Sequence, residues 1–288
     1  MGKLLIIGST GFLGGALKTS LPREKFEIYC ADRDTQDLSG PDFESLNLKN
    51  IYKIMSEIEF EAVIVCNWDG VSKLSRNDSI KQNANIPRVE EYLKLAITAR
   101  IPTFIALGSQ AEAEGLLEPV PESVIFSGRT AYAQAKSNLS TLLLRKAEDT
   151  STRLVWARVF SVYGPGDHDD SLVSLCISYF KRNSMYRIRH PELLWSFLYI
   201  TDFAKAIETL LLNSEINGVV NVANPNLCKL EEINKILFRV NHELMLETQD
   251  EENYMSPQPL VPILGKLSDA GWKPTTSLRQ GILRILSS

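Results

Sequence analysis

Three glycines spaced by three follow the first apolar run of the chain, and this feature constrains the fold more than any other. Residues 3–7 run straight into Gly8-Ser9-Thr10-Gly11-Phe12-Leu13-Gly14. A strand that ends in such a turn and opens a helix uses glycine for the turn itself, for close approach to the backbone and for helix–strand contact. The first amides of that helix then lack partners in the chain and favour an anion such as a pyrophosphate. The pattern is G-x-x-G-x-x-G, not G-x-G-x-x-G, so its weight comes from the strand before it and the helix after it.

Further apolar runs at residues 26–31, 61–66, 103–107 and 153–159 read as strands. Helical periodicity is clearest in Val89-Tyr92-Leu93-Ala96 and Leu139-Leu142-Leu143-Lys146. Short strands joined by helix-length connections pair in parallel through right-handed crossovers. The expected fold is α/β: a doubly wound parallel sheet of the Rossmann type, covered on both faces, with ligands at its carboxyl edge. After Tyr163-Gly164-Pro165-Gly166 the texture changes. Residues 196–200 read as a strand, 202–212 as a helix, 219–222 as a strand, 230–240 as a helix and 247–262 as an acidic loop. Gly271-Trp272-Lys273-Pro274 breaks the chain before a last helix. The expected organisation is a dinucleotide-binding domain over 1–162, rejoined by 196–224, and a smaller C-terminal α/β substrate-binding region from 163–195 and 225–288.

Composition narrows the function classes. Lys+Arg 31 against Asp+Glu 35 gives a net charge of -4, which excludes a broadly basic nucleic-acid binder. No apolar run approaches the roughly 18 residues of a membrane span. The opening apolar run is too short for a signal-peptide core. Cys30, Cys66, Cys176 and Cys228 are scattered, with no Cys-x-x-Cys pair, so a reduced, cytoplasmic protein is expected. His168, His190 and His242 show no ligand spacing, and no metal is expected.

Asp32 ends the second strand 18 residues after the last glycine. A carboxylate there suits the adenosine ribose hydroxyls of NAD, whereas its neighbour Arg33 suits the additional phosphate of NADP. Tyr132 and Lys136 stand four apart in Tyr132-Ala133-Gln134-Ala135-Lys136, on one face of a helix. A nearby ammonium favours the phenolate, and a phenol tuned in this way exchanges a proton with a carbonyl or alcohol oxygen. Ser109, just past the fourth strand in Leu107-Gly108-Ser109-Gln110, adds a hydroxyl at the sheet edge where the dinucleotide should lie.

Gly8, Gly11 and Gly14, Asp32, Asn85, Ser109, the Tyr132–Lys136 pair and Tyr163-Gly164-Pro165-Gly166 together resemble the extended short-chain dehydrogenase/reductase family, the NAD-dependent epimerase/dehydratase group acting on nucleotide sugars. The likeness continues through Tyr199-Ile200-Thr201-Asp202 to Gly271-Trp272-Lys273-Pro274, the last segment also being similar to CDP- and dTDP-linked deoxysugar synthases. The resemblance implies that Tyr132 is the acid/base, that Lys136 tunes it and binds the nicotinamide ribose, and that Ser109 orients the substrate carbonyl. It implies a cofactor lining of Gly8, Thr10, Gly11, Phe12, Leu13, Gly14, Asp32, Arg33, Asn47, Leu48, Asn67, Trp68, Asn85 and Phe160 besides Tyr132 and Lys136. Asn85 falls where the family has an Asn supporting the Lys and a water; it also reads as a helix cap or polar face before Pro87. Trp68 reads as a neighbour of the nicotinamide, as a wall of the sugar pocket, or as packing. The resemblance also implies a homodimer through helices near 85–99 and 132–147.

The departures bear on the reaction. Dehydratases of the family carry Thr-Asp-Glu where this chain has Ser109-Gln110-Ala111, so no acid stands there to expel water from a sugar. Glu112 and Glu114 read as loop charges. The Asn that often touches substrate is Ser161, and the diphosphate-gripping Arg is replaced by Trp195-Ser196. Arg187, Arg189 and His190 either restore that charge or form a solvated basic stretch. Substrate contacts are expected from Ser109, Gln110, Ser161, Arg187 and Arg189. Three readings remain. A 4-keto-sugar reductase is preferred, and Arg33 tilts its cofactor from NAD(H) toward NADP(H). A nucleotide-sugar 4-epimerase with tightly held NAD is the second. A non-catalytic NAD(P)-binding sensor or scaffold is the third.

Overall fold

The alternation of side chains along a strand explains the architecture. In β1 (Gly2–Ile7), Leu4 and Ile6 enter one core while Leu5 and Ile7 enter the other, so both faces of the sheet are covered. The computed structural model describes residues 1–32, 44–72, 75–113, 119–243, 245–246 and 260–287, with the side chains of 44–48 and 245–246 outside the description. The central sheet contains β1, β2 (Phe26–Asp32), β3 (Glu44–Asn47), β4 (Ala62–Val65), β5 (Thr103–Ser109), β6 (Arg153–Val159) and β11 (Gly218–Val222). Their order is β11-β6-β5-β4-β1-β2-β3, and every pair is parallel. This is the doubly wound Rossmann-type sheet the sequence predicts. β3 is a seventh strand that the apolar runs do not announce.

Helices α1 (Phe12–Ser20) and α7 (Ile200–Leu212) cover one face through Leu17, Phe203, Ile207 and Leu210. Helices α2 (Ile51–Glu57), α4 (Asn85–Thr98) and α5 (Ala131–Ala147) cover the other through Ile54, Leu93, Leu139 and Leu143. The short α3 (Ser79–Asn83) precedes α4. The expected strand at 196–200 is smaller: only Leu198–Tyr199 (β10) pairs, in parallel with Val162–Tyr163 (β7), and Ile200 already opens α7.

Beyond the sheet edge, α6 (Leu172–Phe180) and α8 (Glu231–Val240) pack on each other beside two-residue pairings. Ser184–Met185 (β8) pairs with Met245–Leu246 (β13), and Leu194–Trp195 (β9) with Cys228–Lys229 (β12). α9 (Lys266–Asp269) leads to Trp272 and α10 (Leu278–Leu286). Asp202, fully buried in α7, accepts from the Thr275 hydroxyl at 2.8 Å and the Thr276 amide at 2.9 Å. The Tyr-Ile-Thr-Asp and Gly-Trp-Lys-Pro segments are thus structural partners. All four cysteines are free, and among the described residues no helix is long and apolar enough to cross a membrane. Among those residues there is also no cluster of His, Cys, Asp and Glu fit to hold a metal.

Candidate active site

One cleft of about 1350 Å³ runs along the carboxyl edge of the sheet, from the glycine turn past β5 to α6. At one end Gly8 holds φ +88°, and a Cβ there would stand 2.6 Å from the Asn67 amide nitrogen. A Cβ at Gly14 would strike the Gly8 carbonyl. Both glycines are therefore required by the chain's own packing. Gly11 is different: a Cβ there meets only the Gly8 carbonyl at 3.7 Å, an ordinary contact, yet the residue lines the cleft. Gly11 also caps α1 without a side chain, leaving the helix's first backbone donors, at Phe12 and Leu13, to a ligand in the cleft.

Asp32, buried at the end of β2, accepts from Ser9 Oγ at 2.5 Å, Thr10 N at 3.2 Å and Thr10 Oγ1 at 2.9 Å. A carboxylate offers about four acceptor positions, so one remains for a ribose hydroxyl. The empty space at Gly11, the uncapped helix start and this carboxylate together fit a dinucleotide. Thr10, Asn67, Trp68 and Phe160 line the same cleft. Arg33 lies outside the described residues, as do the side chains of Asn47 and Leu48.

At mid-cleft, Ser109 and Tyr132 both face the opening. Tyr132 sits in the first turn of α5, whose start is capped by the Thr130 hydroxyl on the Ala133 amide at 3.1 Å. Its ring meets Trp68 edge-on at 6.1 Å, and the Arg76 guanidinium carbon lies 5.1 Å from its centroid. Ser109 Oγ accepts the Ala111 amide at 3.2 Å, which leaves its own proton for another acceptor. Lys136 lies one turn behind Tyr132 and does not line the cleft. Its ammonium donates to the Leu107 carbonyl at 2.7 Å and sits 3.8 Å from the Trp68 ring centroid. Trp68, which lines the cleft, covers the Lys136 ammonium. Burial lowers the Lys136 pKa to about 7, against the opposing pull of Glu112 and Cys66.

Three further expectations are corrected. Asn85 is buried, accepts the Asp69 amide at 2.8 Å and donates to the Asp69, Lys81 and Gln82 carbonyls at 3.1, 3.0 and 3.2 Å. It fastens the loop after β4 instead of supporting Lys136, and it does not line the cleft. Glu112 is no loop charge: it is fully buried and paired with Arg158 at 3.3 Å. Glu114 lies outside the described residues. Arg187 is exposed and off the cleft, whereas Arg189 and His190 line it. At the position where the resemblance expects an Arg, Trp195 Nε1 donates to Ser161 Oγ at 2.7 Å. Gln110 then braces Ser161 twice, Nε2 to its Oγ at 3.1 Å and Oε1 from its amide at 3.2 Å. This neutral chain forms the wall between Ser109 and the outer cleft. Arg76 and the crossed pair Tyr179–Tyr186, 5.3 Å apart, are site residues that no sequence motif marks.

Sequence comparison decides the lineage. The model of the NAD dependent epimerase/dehydratase family matches residues 4–223. The chain belongs to this family. Its similarity extends to UDP-glucuronic acid decarboxylase 5 of Arabidopsis thaliana, 25% identical over 97% of this chain and 87% of that protein. GDP-6-deoxy-D-mannose reductase of Pseudomonas aeruginosa is 25% identical over 59% of each chain. Among solved structures, the UDP-glucose 4-epimerase of Thermotoga maritima with UDP-glucose superposes at a TM-score of 0.84 with 17% identity, covering 99% of this chain and 97% of that one. The family's members similar to this chain are enzymes, and this chain is an enzyme of the extended short-chain dehydrogenase/reductase type.

Proposed function

We propose that this enzyme reduces the 4-keto group of a nucleotide-linked deoxysugar, with Tyr132 giving the proton. The observation that carries this reading is that, among the described residues, Gln110, Ala111 and Glu112 put no usable carboxylic acid beside Ser109. Gln110 is neutral and engaged with Ser161, Ala111 is apolar, and Glu112 is locked on Arg158. None of these three residues can expel water from the sugar, while Ser109 and Tyr132 share the cleft. The Pseudomonas aeruginosa relative, named as a reductase of a GDP-linked deoxysugar, accords with it.

When bound, the nicotinamide supplies a hydride to an oxygen-bearing carbon. The chain does the rest. Backbone donors at Phe12 and Leu13 would hold the pyrophosphate, and Asp32 would hold the ribose. Ser109 donates a hydrogen bond to the ketone oxygen and keeps its proton, and Tyr132 transfers the one proton that this oxygen gains. Lys136 acts from behind, its charge offsetting negative charge on the phenol oxygen. Arg189, His190 and His168, all on the outer cleft, are the groups for the diphosphate. Asp32 supports NAD(H). The preference for NADP(H) rests on Arg33 and on the reductase reading itself, and an unchanged affinity ratio for NADH and NADPH in Arg33→Ala would remove the Arg33 argument.

A 4-epimerase would use the same three residues, and the grip of Asp32 favours a retained NAD. The two separate by stoichiometry. Supplied with a nucleotide-linked 4-keto-6-deoxyhexose, the reductase consumes one reduced nicotinamide per product, followed by its absorbance. Interconversion of 4-epimers without net consumption would refute the reduction. We further propose that two copies pair through α4 and α5, where Ile86, Leu95, Ile97 and Leu144 stay partly exposed. A monomeric mass in sedimentation would reject this.

A further inference from the structure

Opposite buried charges hold the segment Leu107-Gly108-Ser109 from two sides. The Lys136 ammonium donates to the Leu107 carbonyl at 2.7 Å, and the Glu112 carboxylate accepts the Ser109 amide at 2.7 Å. Both oxygens of Glu112 accept from Trp156 Nε1 at 3.1 Å, and the Trp156 ring centroid lies 5.9 Å from the Lys136 ammonium. A Cβ at Gly108 would stand 2.6 Å from Glu112 Oε1, so strand end and carboxylate are shaped to each other. Arg158 has acceptors besides Glu112: the Pro121 and Val124 carbonyls at 3.2 and 2.9 Å and Asn221 Oδ1 at 3.3 Å. The carboxylate is therefore the member of the pair directed at the site.

We propose that Glu112 is a positioning residue: it sets the Ser109 hydroxyl through the Ser109 amide, on the strand end that Lys136 holds from the other side. This rests on the reading of Ser109, Tyr132 and Lys136 given above. The groups facing Lys136 are Glu112 from the turn after β5, Cys66 from the end of β4 and Tyr132 from its own helix, with Arg158 of β6 paired to Glu112 and Asp32 acting beyond Cys66. Burial pushes the Cys66 thiol up, so it stays uncharged, and Glu112 is the anion left to oppose desolvation of the ammonium.

The test is an NMR titration of full-length protein labelled at the lysine ε-carbon, with Lys136 assigned by its loss in Lys136→Met. Glu112→Gln should lower the Lys136 midpoint by about one pH unit. The alkaline limb of kcat/KM should move with it. Glu112→Asp keeps the charge but shortens the reach to Ser109. Its midpoint should stay, while kcat falls about tenfold with little change in KM. A midpoint unmoved or raised in Glu112→Gln, or an unchanged kcat in Glu112→Asp, overturns the proposal. If Glu112→Gln does not fold, the kcat of Glu112→Asp decides. The midpoints need no turnover, so a wild-type enzyme without Tyr132-dependent activity would sink the functional reading and still leave Glu112 to be judged by them.

Discussion

Replacing Lys136 by methionine should flatten the pH dependence of stability, and the structure gives the size of the effect. Lys136 is 5% exposed, and burial brings its pKa from 10.5 to about 7. Between those values the unfolded chain holds a proton that the folded chain has released. Folding is then favoured increasingly as pH rises, because the unfolded state binds more protons. Below the folded value the penalty of burying the ammonium is fully present; it is relieved only as pH approaches the unfolded value. The slope is at most about 1.4 kcal/mol per pH unit, so the wild type should gain about 2 kcal/mol over the variant between about pH 7.5 and pH 9. Titrations elsewhere are common to both proteins and cancel in the difference. Urea midpoints at several pH values, with an unchanged m-value, measure it. Parallel curves for the two proteins would refute the assignment of a depressed pKa to Lys136. The same titration predicts that reduction falls as pH climbs through about 7, since the charged form behind Tyr132 is being lost.

Tyr132→Phe should lower turnover by about 10² to 10⁴ while dinucleotide affinity stays near wild type, because one hydroxyl is removed and the pocket remains; steady-state rates close to wild type would exclude Tyr132 as the donor. Gly14→Ala places a methyl on the Gly8 carbonyl and must shift the glycine turn, so dinucleotide affinity by calorimetry should fall at least about tenfold. Trp195→Phe keeps a ring but deletes the donor to Ser161, and should raise the KM for the sugar several-fold with kcat nearly unchanged. A matching fall in kcat would instead place Trp195 beside the reacting carbon.

Local and distant partners divide what could be read in the chain from what could not. Strands β1, β2, β4, β5, β6 and β11 are visible because burial on both faces writes a continuous apolar run. β3, with the sequence Glu44-Ser45-Leu46-Asn47, lies at the sheet edge and has no such run. The glycine turn is legible for a similar reason: its requirements at Gly8 and Gly14 are backbone requirements written in neighbouring residues. Ser109, Tyr132 and Lys136 carry a motif, and the cleft accepts the first two directly. The carboxylates show where such reading stops. Asp32 ends the inner strand β2 and Glu112 follows the inner strand β5, and the sequence after each is a short polar stretch. Asp32 takes its partners from Ser9 and Thr10, within a motif already recognised. Glu112 takes Arg158, 46 residues away, which reaches it only because the parallel register of β5 and β6 sets Gly108 opposite Arg158. Asn85 follows the same rule, since its partner Asp69 comes from the loop after β4 and not from the helix that carries Lys136. A polar residue whose function depends on register cannot be separated by local sequence from a solvated one, and in this enzyme that is the difference between a loop charge and the carboxylate under Ser109.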